Sequence, residues 1–428
     1  MAGFAHRGWR DAVALYGDRR ILTILVLGFS SGLPLALTGA TLSAWLSTQG
    51  VAKTTIGLFA LVAVPYSLKF LWAPLIDGLS LPFLTARLGR RRGWAIVTQL
   101  ALIGCILLLG AVDPSETPVL TASLALLVAF VSASQDIVID AYRVEILAED
   151  EQGAGAAAVQ VGYRFGMLAS GAGALYLADL YGFSAAYAVM AVLVVVGIAT
   201  ILANPEPRAG AAVEAGGRDA VQWITRHVIA PFADFMSRPG WLAILAFILL
   251  YKFGDAVAGV MTTPFYIETG FTLSEIASVS KLFGLAATLA GVVLGGVAVA
   301  RWGMASALLV CGVLQMLSNL MFAAQAAVGH DVAFLALTIG IENLTGGMGS
   351  AAFVAYLSSL CRVAFTATQY ALLSSFAVVG RTTLSASGGW LADHVDWISF
   401  FVVSTVAALP GVLLLVWMIR RYPPETRS

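Results

Sequence analysis

The sequence predicts an all-α membrane protein of twelve transmembrane helices, arranged as two six-helix halves. Three observations predict it. Of 428 residues, 59% are hydrophobic and only 11% are charged, where soluble domains carry about 25%. The apolar residues fall into runs of about 20, the length that crosses a hydrocarbon core. Basic residues gather on one side of those runs. The same composition excludes other classes. Disordered chains are poor in apolar residues and rich in charge. Lys+Arg 24 balances Asp+Glu 24, which leaves no basic surplus for nucleic acid. So few charges cannot cover the water-facing surface of a soluble enzyme. Barrel strands alternate apolar and polar over about ten residues, whereas these runs are longer and apolar on all sides.

The expected spans are 21–43, 56–77, 94–112, 119–142, 154–178 and 183–203, then 241–267, 274–299, 303–325, 332–358, 367–390 and 397–419. The first is too long for the about 7–15-residue core of a signal peptide, and Arg7, Arg10, Arg19 and Arg20 anchor it. With this count, eighteen of the 24 Lys and Arg residues share the side that holds both chain ends and the central linker. The opposite side holds only Lys53, and Lys69, Arg164, Lys252, Lys281 and Arg381 fall within spans. An odd count would scramble that asymmetry. By the positive-inside rule both termini are cytoplasmic.

Residues 204–240 form the longest break, opening at Asn204-Pro205-Glu206-Pro207 and closing at Arg238-Pro239-Gly240. They separate an N-terminal half, 1–203, from a C-terminal half, 241–428. Val221, Ile224, Val228, Phe232 and Phe235 recur at helical spacing within the break, which reads as an amphipathic segment on the cytoplasmic leaflet, bent near Pro231. Two six-helix halves with this connection follow the major facilitator plan. Asp77 at the end of the second span, followed by Arg87, Gly89, Arg90, Arg91 and Arg92, resembles the facilitator signature. About eight extra residues separate the acid from the basic cluster. The resemblance makes Asp77, Arg87, Arg90, Arg91 and Arg92 a candidate conformational switch.

Ionisable groups at bilayer depth cost at least about 2.5–3.5 kcal/mol each on insertion scales, so they mark pathways or pairs. The densest group is in the fourth span, where Ser132, Asp136 and Asp140 share one face beside Gln135. Two carboxylates one turn apart in low dielectric resist double ionisation, so one of them can hold a proton near neutral pH. That makes Asp136 and Asp140 candidates for proton coupling. Pairing of both with Lys69, Arg143 or Arg164 is the structural alternative. Asp255, three residues from Lys252, and Glu342, with no base one turn away, complete the set of candidate proton carriers. Arg164 and Arg381 are each the only base in spans five and eleven, the equivalent helices of the two halves.

Other motifs carry less. Gly28-Phe29-Ser30-Ser31-Gly32 matches the hydrolase G-x-S-x-G pattern, but the nucleophile elbow needs a strand before it. Inside an apolar run, glycines at G-x-x-x-G spacing favour close helix approach instead. Cys105, Cys311 and Cys361 are scattered, and no Cys/His cluster suits a metal. No P-loop supports ATP-driven transport.

Several stretches, in order along the chain, carry a resemblance: Ser31-Gly32-Leu33-Pro34, Lys69-Phe70-Leu71-Trp72-Ala73-Pro74, Ser132-Ala133-Ser134-Gln135-Asp136, Gly162-Tyr163-Arg164, Tyr251-Lys252-Phe253-Gly254-Asp255, Glu342-Asn343-Leu344-Thr345-Gly346-Gly347, Thr368-Gln369-Tyr370 and Val379-Gly380-Arg381. The chain resembles the AmpG-type muropeptide permeases of the bacterial inner membrane, in the facilitator branch shared with acetyl-CoA transporters. Some members carry two further C-terminal spans. The resemblance implies import of N-acetylglucosamine linked to anhydro-N-acetylmuramic acid, with or without a stem peptide, for peptidoglycan recycling and, in some bacteria, β-lactamase induction. It implies the proton gradient as driving force, with no cofactor, and a monomer in the bilayer. Planar guanidinium groups suit the stem carboxylates, so Arg164 and Arg381 are candidate clamps, with Lys69 and Lys252 as further cations. Sugars need amide and hydroxyl partners and flat surfaces, for which Gln135, Asn343, Gln369, Tyr163 and Tyr370 are candidates. A facilitator of another cargo, such as acetyl-CoA or a drug, is the alternative, and a non-transporting receptor is a further one.

The topology is testable directly. A cysteine at Ser115 should be labelled from the periplasm in intact cells and one at Gly210 should not, and the reverse pattern would refute the orientation.

Overall fold

The computed structural model describes residues 8–51, 59–207, 220–276, 278–279, 283–385 and 387–422, which are helices, turns and connecting loops. Arg7, Lys53, Arg208, Arg218, Lys281 and Arg427 lie outside the described residues. Ten helices among the described residues are long and apolar enough to cross a membrane: α1 (Arg19–Thr48), α3 (Arg90–Ala111), α4 (Pro118–Ile146), α6 (Phe183–Ala203), α7 (Trp241–Glu268), α8 (Gly284–Trp302), α9 (Met304–Val328), α10 (Val332–Ser359), α11 (Val363–Ala392) and α12 (Trp397–Arg421). The second and fifth expected spans are α2 (59–78) and α5 (152–181).

These two differ from the rest for legible reasons. In α2, Pro65 and Pro74 each open a new short helix, Val64–Leu68 and Ala73–Gly78, with 3-10 turns at Phe59–Ala63 and Lys69–Leu71. Proline lacks the N–H that a continuous helix needs but fits the first turn of a new one. In α5, the α-helix Gln152–Leu168 passes through a π turn, Ala169–Gly173, into Ala174–Tyr181. Its Gly, Ala, Gln160 and Arg164 content makes it less apolar than its neighbours. Of the expected eighth span, Leu273–Ile276 is helical and α8 runs from Gly284, while residues 277 and 280–282 lie outside the described residues.

Small residues set the tightest contacts. A side chain at Gly28 or Gly32 of α1 would strike the backbone carbonyls of Val159 and Tyr163, and one at Gly162 or Gly166 of α5 would strike those of Leu25 and Phe29. The glycines of the G-x-S-x-G run are therefore helix-packing positions. In the other half, Gly291 and Gly295 of α8 meet the carbonyls of Leu344 and Met348 on α10, and Gly347 returns the contact to Thr288. Such backbone approach replaces the hydrophobic drive that helices lack in lipid.

The halves meet where α5 packs on α8 and α10, and where α2 and α4 pack on α11. Direct inter-half hydrogen bonds among the described residues lie at or towards the end that carries the N-terminus and the linker. They join Tyr16 to the Val293 carbonyl, Arg143 to Ser358, and Asp77 to Thr368. The described part of the linker is helical, as Ala220–Ile224, a π turn at Thr225–Ile229 and Ala230–Met236. It docks on protein rather than lying free. Pro231 and Phe235 are buried, and Gln369 of α11 donates to the Pro231 carbonyl.

Gly162→Leu should destabilise the protein by more than about 3 kcal/mol, because backbone leaves nowhere for the side chain to move. Gly104→Ala, with open space around its Cβ position, should leave the melting temperature in detergent unchanged or raised.

Candidate functional site

At the linker end a buried ion network fastens the halves. Arg91 is 1% exposed; its Nη2 donates to Asp77 Oδ1 at 2.7 Å and to Glu145 Oε1 at 2.5 Å. A buried charge needs such partners, since an unpaired one costs about 3–5 kcal/mol. The other Asp77 oxygen, Oδ2, accepts from the Thr368 backbone N–H and hydroxyl, each at 2.7 Å. Asp77 of one half thus caps the first turn of α11 in the other, where helix N–H groups have no partners of their own. Arg90 donates to the Asp77 carbonyl, and Arg92 to the Ile201 carbonyl. Glu206 caps α3 through the Arg91 and Arg92 N–H groups. Its carboxylate occupies the space a side chain at Gly89 would need, and Gly89 has φ +89°, so the turn requires glycine. Arg87 is exposed and stands outside this network.

The linker helix straps the same seam. Asp234 pairs with Arg362 at 2.5 Å and accepts from Gln369 Nε2 at 3.0 Å, while Gln369 Oε1 accepts from the Arg362 N–H. At its other end the stacked rings of Trp223 and His227 fill the space beside Gly78. The strap therefore touches the residue after Asp77 and the residue after Thr368. Gln369 belongs to this strap and lies away from the cavity described below.

The acids of α4 separate into two environments. Asp140 pairs with Lys69 at 3.5 Å and with Arg143 at 3.6 Å. Arg143 also donates to Ser358 of α10 and lies 5.1 Å from the Tyr370 ring centre. Asp136, one turn deeper, has Ser31 of α1 beside it, and its buried Oδ1 has no hydrogen-bond partner among the described residues. Gln135 is fully buried and donates to the Ser30 carbonyl. Tyr163 is half-buried near Asp136. Gln135, Tyr163, Lys69 and Asp136 do not line the cavity.

The cavity has two lobes. The larger, about 590 Å³, is lined by Lys252, Asp255, Arg381 and Tyr370 together with apolar residues of α7, α10 and α11. The smaller, about 180 Å³, is lined by Arg164, Lys252, Glu342 and Asn343. Lys252 is held at the joint, donating to Gln315 and Ser350 at 3.0 Å each and to the Gly346 carbonyl at 3.4 Å, with Asp255 at 3.7 Å. Asn343 accepts from Thr288 at 2.7 Å. Arg164 and Arg381 are exposed to the cavity, and neither takes part in an ion pair among the described residues. Sequence reasoning missed Gln160, Gln315 and Ser350. Gln160 was findable, since it sits one turn before Arg164 on the same face of α5.

Residues 24–341 and 248–428 match the model of the Major Facilitator Superfamily. An anhydromuropeptide permease of Escherichia coli strain K12 is 41% identical over 404 residues, covering 94% of this chain and 80% of that protein. The chain belongs to the AmpG-type permeases of the Major Facilitator Superfamily. The putative transporter AmpG 4 of Rickettsia felis is 33% identical, covering 95% of this chain and 98% of its own length. Among solved structures, a variant of the E. coli fucose:proton symporter FucP superposes with a TM-score of 0.67 at 14% identity, covering 96% of this chain and 99% of that one. That likeness is one of fold: twelve helices in two halves. An AmpG-type chain is a multi-pass membrane transporter and not an enzyme.

Asp77→Ala should remove the α11 cap, worth about 0.5–2 kcal/mol, and strip Arg91 of one partner. A cysteine at Ser358, shielded against Arg143, should then react faster with a thiol reagent applied from the linker side. An unchanged rate would mean that the cap does not hold the seam.

Proposed function

We propose that this chain imports anhydro-muropeptides, N-acetylglucosamine–anhydro-N-acetylmuramic acid with or without a stem peptide, into the cytoplasm across a bacterial inner membrane. The import runs on the proton gradient, feeds peptidoglycan recycling and is carried out by a monomer. The kinship with the permeases supports the cargo class. The observation that carries the site is the pair Arg164 and Arg381. They come from opposite halves, open onto one cavity at membrane depth and lie outside every described ion pair. A guanidinium without a protein carboxylate, in a water-filled cavity, is a ready fork for a carboxylate of the cargo. Nothing in the cavity favours a nucleotide or drug cargo over this one.

The orientation follows from the charge asymmetry. With both termini and the linker in the cytoplasm, the fastened end is the inner one, and the cavity loads from the periplasm. Asp77, Arg90, Arg91 and Arg92 then act as the switch that keeps the inner gate shut, and Arg87 contributes surface charge. The proton site is Asp136, the α4 acid that belongs to no described ion pair and whose buried Oδ1 has no hydrogen-bond partner among the described residues, while Asp140 is already committed to Lys69 and Arg143. Glu342 and Asp255, on either side of Lys252, form a second acidic station in the cavity wall. Two acids sharing one lysine can trade a proton as that lysine engages anionic cargo. Substrate contacts are Arg164, Arg381, Lys252, Asn343 and Tyr370. Gln135, Gln369, Tyr163 and Lys69 support the helices that hold them.

Purified chain in liposomes with an acidic exterior should concentrate labelled anhydro-muropeptide inside and should fail without the gradient. Asp136→Asn should abolish uphill accumulation while cargo binding persists within about threefold. Uphill transport at the native rate in that variant would remove Asp136 from the coupling.

A further inference from the structure

The two lobes of the cavity differ in chemistry more than one continuous pocket should. In the smaller lobe only Val292 and two glycines lack a polar side chain. Several of its polar groups are fixed against each other, Thr288 donating to Asn343 and Lys252 to Gln315 and Ser350, with Arg164 and Glu342 as the charges beside them. A wall of immobilised donors and acceptors suits a ligand that carries hydroxyls all round, because each hydroxyl both donates and accepts. The volume of about 180 Å³ equals roughly six waters at about 30 Å³ each, which is room for one sugar ring and little more. The larger lobe has apolar walls from Ile248, Leu249, Phe353, Val354 and Leu357, with the Lys252–Asp255 pair and Arg381 as its charges. That pattern suits a short chain with small apolar side groups and ionised ends, that is, a peptide.

The waist between the lobes is narrow in composition. Gln160, Lys252 and Ser350 line both lobes. Gln160 is the only N-terminal-half residue on the wall of the larger lobe. Its Nε2 is engaged with the Ala156 carbonyl at 3.1 Å, which turns its amide oxygen into a fixed acceptor.

We propose that the lobes are separate subsites of one cargo. The small polar lobe seats the sugar ring that bears the stem, the other ring leaves that lobe on the side away from the large one, the large lobe seats the peptide with Arg381 on its carboxylate, and Gln160 reads the sugar–peptide junction. This rests on the muropeptide reading and adds the cargo's direction in the site.

Two glycines allow a matched test. Gly259 lines only the large lobe and Gly346 only the small one. A side chain at Gly259 would meet nothing within 4 Å, and one at Gly346 only the side-chain ends of Gln315 and Glu342 at 3.8 and 4.0 Å. Each lobe can therefore be filled without moving backbone. Liposome uptake is measured for the peptide-free disaccharide and for the same disaccharide carrying a stem peptide. Gly259→Leu should cut uptake of the peptide-bearing cargo at least about tenfold and leave the disaccharide within about twofold, and Gly346→Leu should cut both at least about tenfold. Alkylation of Gly259→Cys and Gly346→Cys gives a second readout that does not depend on transport. The disaccharide should protect position 346 alone, and the peptide-bearing cargo both. Equal loss of the two cargoes in Gly259→Leu, or protection of position 259 by the disaccharide, overturns the division into subsites. Failure of the unmodified chain to move either cargo overturns the muropeptide reading instead.

Discussion

The carboxylate of Asp77 serves two halves at once, and the state of the molecule depends on it. One oxygen neutralises Arg91, a guanidinium that is otherwise sealed from water. The other caps the first turn of α11 across the seam. Separating the halves breaks only the second contact. Arg91, Asp77 and Glu145 all belong to the N-terminal half, so these ion pairs do not cross the seam. A latch with that property can be strong in one state and still reversible, because its cost of release is a helix cap rather than an ion pair in low dielectric. The linker helix widens the same contact by touching the residues next to Asp77 and Thr368, which ties the seam to the one segment that joins the halves covalently.

The distribution of the remaining charge follows from the latch. Acids and bases near the fastened end are paired with each other: Lys69 and Arg143 with Asp140, Arg362 and Arg238 with Asp234. Those in the cavity are under-paired: Arg164 and Arg381 stand outside described ion pairs, and Lys252 faces both Asp255 and Glu342. Unpaired charge at bilayer depth is tolerable only where water or cargo reaches it. The contrast separates charges paired within the fold from Arg164 and Arg381, which line the cavity outside the described ion pairs.

Much of this was legible in the sequence. The apolar runs and the one-sided arginines gave the twelve helices, and intramembrane charge singled out Arg164, Arg381, Lys252, Glu342 and Asp136. What stayed hidden was which charges would meet. Asp136 and Asp140 are equivalent in spacing, and only the arrival of Lys69 from α2 and the turn of Arg143 decide that Asp140 is the paired one. Gln369 and Gln135 look alike in sequence to Gln160, as amides in apolar helices. The first belongs to the linker strap, the second bonds the α1 backbone, and the third faces the cavity, because helix rotation sets the direction of a side chain and the hydrophobic runs are apolar on all sides. The broken course of α2 was written in Pro65 and Pro74.

The site also constrains how the molecule can work. Among the described lining residues, the N-terminal half reaches the cavity only through Gln160 and Arg164, both on α5. That helix is locked to α1 by four glycine–carbonyl contacts, at Gly28, Gly32, Gly162 and Gly166. Towards α8 it presents Gly153 against Val299 and the Gly296 carbonyl. A rocking motion of one half against the other would carry Gln160 and Arg164 as a rigid unit with α1, while Lys252, Asn343 and Arg381 move with the opposite half. The cavity wall is therefore divided between the two halves, and relative motion of the halves would change its shape.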